Sequence, residues 1–166
     1  MWVKIFYLVA LFTSLMVLGC SDELVAPSKG QSSIIYGETE IVEYVDPGTI
    51  TQLGKGNTQV RNQVANFIDS SNKGQLSGLR NVVLNHDFNS NGHGNSYGTF
   101  SVETNSGLWE GNWTGRTTSS GTTIKAIGYD FDERGKSCEW NYYFPSLEAG
   151  TVGTFSARII SERDDI

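Results

Sequence analysis

Cysteine, histidine and proline are scarce in this sequence: its 166 residues include two, two and three of them. A zinc centre needs four sulfur or nitrogen ligands, or three and an open position, so no metal site is expected. A dense disulfide framework is excluded too, although Cys20 and Cys138 still allow one bridge in an exported chain. Positive charge is in deficit. Twelve Lys and Arg stand against 18 Asp and Glu, a formal charge of −6. Phosphate backbones are bound by a surplus of Lys and Arg, so no nucleic-acid partner is expected. No cofactor is expected either. The length suits one domain with its own core. What the chain has in quantity is glycine, at 19 residues, and aromatics, at 11%.

There is one long apolar run. Residues 1–19 read MWVKIFYLVALFTSLMVLG, with Lys4 the only charge. From Ile5 to Leu18 only Thr13 and Ser14 interrupt it. As a helix this stretch would rise about 21 Å, short of a hydrocarbon core of about 30 Å. A positive start, a short apolar stretch and a small final residue describe a secretory signal.

Val17-Leu18-Gly19-Cys20 resembles the lipobox of bacterial lipoproteins. That resemblance implies cleavage before Cys20, a diacylglyceryl group on its thiol and acylation of the new amino terminus. Two or more acyl chains hold a protein to a bilayer stably, where one holds it only marginally. Ser21 stands where the inner-membrane retention pattern has Asp, which implies the outer membrane. Ser21-Asp22-Glu23 resembles the short acidic tag of surface lipoproteins in Gram-negative bacteria. The expected location is the cell envelope, with the membrane as a partner through the lipid. Loss of residues 1–19 leaves 147 residues, 11 of them basic and 18 acidic, hence a formal charge of −7 before acylation.

Residues 20–33 are polar after the cysteine, carry Pro27 and Gly30, and show no periodicity. They read as a lipidated tether to a domain spanning 34–166. That domain lacks a long amphipathic helix. It has short runs rich in Val, Ile, Thr, Tyr, Phe and Trp, separated by Gly, Asn and Ser clusters. Strands are predicted at 33–45, 49–54, 59–70, 78–88, 97–104, 108–116, 122–131, 137–144 and 151–161. The spacing of Val60, Val64, Phe67 and Ile68 fits a helix over 59–69 about as well as a strand. Within 137–144, Cys138, Trp140, Tyr142 and Phe144 share one face, and Glu139, Asn141 and Tyr143 the other. Trp109 and Trp113 also share a face. Gly111 between them marks a close approach or a bend. Eight or nine antiparallel strands in about 130 residues must hide their edges. The expected fold is an all-β, antiparallel small barrel of about eight strands, with a two-sheet sandwich as the alternative.

Three motifs carry a second resemblance, over roughly half of the expected mature chain. They are Gln75-Leu76-Ser77-Gly78, Tyr97-Gly98-Thr99-Phe100, and the stretch from Ser106 to Gly115 with Trp109-Glu110-Gly111 and Trp113. Together they resemble bacterial small barrels of the allene oxide cyclase and dirigent group, within a calycin-like architecture. The resemblance implies a barrel, and a cyclase or isomerase as one possible activity. Tyr129-Asp130-Phe131-Asp132 replaces the Gly-rich run of that group.

Several residues are candidates for chemistry. Glu110, if turned into the barrel, would have its pKa raised by burial and could act as a general acid, or it could be a structural carboxylate. Asp130, Asp132, Glu133 and Glu139 are acidic and close, either as paired carboxylates or as a solvated turn. Asp87-Phe88-Asn89-Ser90-Asn91-Gly92 matches the opening of a calcium loop, but Gly98 stands where the loop needs a bidentate Glu. A Gly/Asn hairpin loop is the favoured reading. His86 and His93 have no evident third ligand, so neither metal nor triad is expected of them. Trp109, Trp113, Trp140 and Tyr142 could line a cavity for a small apolar ligand, form a sugar-binding platform, or fill the core. The leading expectation is a noncatalytic, lipid-anchored binding or interaction module. The alternatives are a cyclase or isomerase using Glu110 and a glycan-binding surface module.

Overall fold

The computed structural model describes residues 33–161. Cys20, the signal-like segment and most of the expected tether lie outside them. Nine strands follow in order: β1 (Ile35–Asp46), β2 (Thr49–Gln52), β3 (Thr58–Ser71), β4 (Gly78–Phe88), β5 (Gly94–Thr104), β6 (Gly107–Thr118), β7 (Gly121–Asp130), β8 (Lys136–Phe144) and β9 (Val152–Ser161). A single 3-10 turn, Gly54–Gly56, is the only helical element among the described residues. The 59–69 segment is strand. Its β-branched and aromatic residues pair on both edges, and this tertiary pairing overrides a local pattern that fits either state.

Each strand pairs antiparallel with the next, from β3 round to β9. β9 then pairs with β1, and β1 with β3 through Gly37↔Ser71 to Asp46↔Val64. That last pairing closes an eight-stranded barrel and rules out the sandwich. β2 continues the line of β1 past Pro47-Gly48 and pairs with the other half of β3, from Thr49↔Arg61 to Gln52↔Thr58. Closure removes the free edges that an open sheet would leave.

The core follows from strand alternation. Odd positions of β6 and even positions of β8 point inward, so Trp109, Trp113, Trp140, Tyr142 and Phe144 share one interior. Small residues make room for these rings. A Cβ on Gly128 would come within 2.9 Å of Phe100 and 3.0 Å of Trp140. One on Gly111 would lie 2.0 Å from the Ile127 carbonyl oxygen, so the close approach expected between the two tryptophans is real. Leu76, from the β3–β4 loop, enters the core from one end and is 1% exposed. Its loop is fixed where Ser71 N donates to Ser77 Oγ (2.9 Å) and Ser106 Oγ donates to Gln75 O (2.6 Å).

The outer wall is mixed: charged residues stand among exposed apolar ones such as Tyr36, Ile68, Leu79, Ile127, Tyr129 and Tyr143. Glu38, Glu40, Glu103, Glu110, Lys125 and Glu139 all face out and are exposed. No helix among the described residues is long and apolar enough to cross a membrane.

Candidate functional site

The four residues expected to line a ligand site are inside the barrel. Trp109, Trp113, Trp140 and Tyr142 are 0%, 4%, 2% and 3% exposed. They pack on one another and on phenylalanines. Trp140 meets Trp109 and Phe100 edge-on, at centroid separations of 5.8 and 5.5 Å. Tyr142 lies 5.5 Å from Phe155, and Trp113 Nε1 donates to Val83 O at 3.2 Å. The interior cavity that Trp113 lines, next to Arg80, Phe67 and Phe144, measures about 20 Å³. Sites for small ligands run to roughly 300–1,000 Å³. The rings fill the barrel, and as buried groups they offer no platform to a sugar.

Glu110 faces out. Its neighbours Trp109 and Trp113 occupy the inward positions, so strand alternation puts it on the exterior beside Ser101 and Tyr129. The arrangement expected for a catalytic Glu110, its carboxyl turned into the barrel, does not occur.

The acidic cluster is dispersed in the same way. Asp130 is buried at the end of β7, where its Oδ1 accepts from Asp132 N (3.0 Å) and Glu133 N (3.2 Å). Its Oδ2 is 3.1 Å from Lys136 Nζ. Burial pushes this carboxyl up, but the backbone donors and Lys136 outweigh it and hold its pKa below the ordinary value. Asp132 and Glu133 are exposed in the loop, and Glu139 is on the outer wall. Asp130 therefore orders the β7–β8 hairpin. The calcium-like string is a hairpin loop as well. Asn89 Oδ1 accepts from Asn91 N (2.9 Å) and His93 N (3.1 Å), and Gly92 takes φ 74°. Asp87 instead bonds Arg61 (2.6 Å) and Gln59 (2.9 Å) outside the barrel. No group of three potential metal ligands occurs among the described residues.

His86 has a partner that the sequence reading left out. Its Nδ1 is 2.6 Å from Ser96 Oγ, both residues are buried, and its ring stacks on Phe88 at 5.0 Å. Ser96 stands in Gly94-Asn95-Ser96-Tyr97-Gly98, which fits the G-x-S-x-G string of hydrolase nucleophiles. That string needs a sharp strand-to-helix turn to expose its serine. Here it lies within β5, Ser96 is 3% exposed, and the neighbouring acid, Asp87, points to the other face. The pair is a buried hydrogen bond of the core. Burial, with a smaller push from Arg61 that Asp87 partly opposes, lowers the His86 pKa to about 4.

A second buried polar group was not foreseen. Arg80 Nη2 is 3.2 Å from Asp69 Oδ1 and donates to Thr39 Oγ1 at 3.0 Å. Burial raises the Asp69 pKa, opposed by Arg80 and by the Thr39 and Tyr142 hydroxyls. Burial likewise keeps the Tyr142 phenol protonated, well above its usual range. The signal in the sequence was alternation itself: Asp69 continues the inward row of Ala65 and Phe67, and Arg80 that of Val82 and Leu84.

The sizeable concavities lie on the outer wall. One, of about 720 Å³, runs between Tyr36 and Tyr143 across β1, β9 and β8. Another, of about 590 Å³, crosses β5, β6 and β7 over Gly115 and is lined by Tyr97, Arg116 and Lys125. Neither was legible from the chain, since each joins residues of three or more strands.

Compared with protein-family models, curated proteins and solved structures, the chain matches none of them. The class established is therefore the architecture: a small, closed, antiparallel eight-stranded β-barrel with one additional strand.

Proposed function

We propose that the protein is a noncatalytic binding module of the cell envelope, anchored through lipid on Cys20, that engages its partner on the outside of the barrel. The observation that carries this reading is the packed interior: the aromatic rings lie against one another, and the cavity beside Trp113 measures about 20 Å³ where a small ligand would need at least some 300 Å³. The lipobox resemblance at Val17-Leu18-Gly19-Cys20 supports the anchor, and Ser21 after it favours the outer membrane. The likeness to the allene oxide cyclase and dirigent barrels supports kinship in architecture. With Glu110 outside, the residue on which the cyclase or isomerase reading rested is not in the interior.

Two measurements test the reading. A fluorescent fatty acid titrated into the protein is expected to give no saturable signal, and saturable quenching of the buried tryptophans would overturn exterior binding. Metabolic palmitate labelling is expected for the native chain and not for Cys20→Ala. Equal labelling of both would remove the anchor.

A further inference from the structure

We propose that the groove over Gly115 binds an acidic saccharide, its carboxylate held between Arg116 and Lys125 and its ring laid against Tyr97. This deepens the reading of the barrel as an exterior binding module by naming the class of partner.

The register assembles the groove. Tyr97 pairs with Thr114, and Thr114 with Lys125. Asn95 pairs with Arg116, and Arg116 with Thr123. Arg116 and Lys125 are thus diagonal neighbours on adjacent strands, about 7–8 Å apart at the backbone and within reach of one anionic group. Both are exposed, and neither is in an ion pair among the described residues. Arg61, Arg80 and Lys136 each lie within 3.3 Å of a carboxylate, while Lys55, Lys73, Arg134 and Arg158 share the lack of an ion pair, so what sets Arg116 and Lys125 apart is their adjacency in one groove. The nearest acid by register is Glu139, one diagonal step from Lys125 on β8, and it forms no ion pair with it. The groove itself is lined by no acidic residue. In a chain with a surplus of acid, two adjacent unpaired cations set up a local field that selects anions.

The other lining groups suit a sugar. Asn95, Thr114 and Thr123 supply neutral donors and acceptors for hydroxyls. Tyr97 supplies an apolar face with a polar tip. Its ring is held by the Arg61 guanidinium, 5.7 Å from the centroid, and that guanidinium is fixed by Val60 O, His86 O and Asp87. A fixed aromatic loses little entropy when it binds.

Two other anions fit less well. A nucleic acid needs a run of phosphate contacts, and two cations on an acidic wall supply too few. A lipid phosphate would engage the two cations and leave the Tyr97 ring unused.

The test uses the full-length protein in nonionic detergent and titration calorimetry. Probes are hexamers of galacturonate and of mannuronate, with maltohexaose as the neutral control and a short single-stranded DNA as the competing polyanion. Saturable binding of at least one uronate hexamer is expected, and none of maltohexaose or DNA. Arg116→Gln with Lys125→Gln should weaken it at least tenfold, Tyr97→Ala should weaken it severalfold, and Lys73→Gln should leave it unchanged. All are exposed positions, and unchanged circular dichroism would show that the variants fold. Absence of binding to both uronates, equal binding by the Arg116/Lys125 variant, or comparable binding of DNA would each overturn the proposal. Any of these would leave exterior binding standing, because that reading is judged by the fatty-acid titration.

Discussion

Arg80 lies over the ring of Tyr142, its guanidinium carbon 4.2 Å from the ring centroid, inside the barrel. Its other contacts are the Phe67 ring at 4.8 Å, Asp69 and Thr39. One cation thus ties β4 to β1, β3 and β8. Removing one partner of a buried ion pair costs about 3–5 kcal/mol, because the other charge is left uncompensated. Arg80→Met should lose that much in urea unfolding. Arg80→Met with Asp69→Leu should recover most of it, since an apolar pair of similar volume can replace a buried ion pair without loss. A double variant as unstable as the single one would show that the pair is not a closed unit.

His86 makes stability depend on pH. Its pKa falls from 6.5 in the unfolded chain to about 4 in the barrel. Between those values the unfolded state binds the proton and the folded state does not, so stability rises with pH. The contribution is complete above about pH 6.5 and is lost progressively as pH falls to 4. It amounts to roughly 3 kcal/mol at most. The slope of unfolding free energy over this window should largely vanish in His86→Gln. An unchanged slope would assign the effect to another group.

Gly128 should tolerate no side chain. Its added methyl would press on the tips of Phe100 and Trp140. Overpacking of this kind costs about 1–3 kcal/mol. Gly128→Ala should lower the melting temperature, and Phe100→Leu in the same chain should return part of the loss by shortening one ring. Additive losses would mean that the strain is in the backbone.

Cys138 should be chemically silent. It is fully buried, and burial pushes its thiol pKa up, so little thiolate forms. Its reaction with a thiol reagent should follow global unfolding and speed up with urea. Rapid labelling in native buffer would reveal local opening of β8.

The strand pattern was open to reading because alternation and turn residues are local properties. Cys138, Trp140, Tyr142 and Phe144 announced an inward row two residues at a time. In the β4–β5 loop, Gly92 announced the hairpin through a left-handed conformation that few other residues adopt, and Asn89 through a side-chain oxygen that accepts from the loop's own N–H groups. For Glu110 the same alternation was available in Trp109 and Trp113, and it pointed outward. Ser96 shows the opposite limit. Its G-x-S-x-G string is complete in the sequence, yet a motif has its chemistry only in the right turn, and β5 does not provide one.

The sequence by itself determined where the strands lie, which residues share a face, and the excess of acid over base. Those follow from backbone sterics, side-chain period and simple counting. The tertiary structure decided the rest. Closure through β1 and β3 set which faces meet, and so converted four aromatics from a possible binding site into a packed core. It also carried Arg80 of β4 to Thr39 on β1 and Tyr142 on β8. Such meetings join strands that no single hairpin links. Hairpin register is set by turn and loop length, but the contacts across the closed ring are fixed by its packing as a whole.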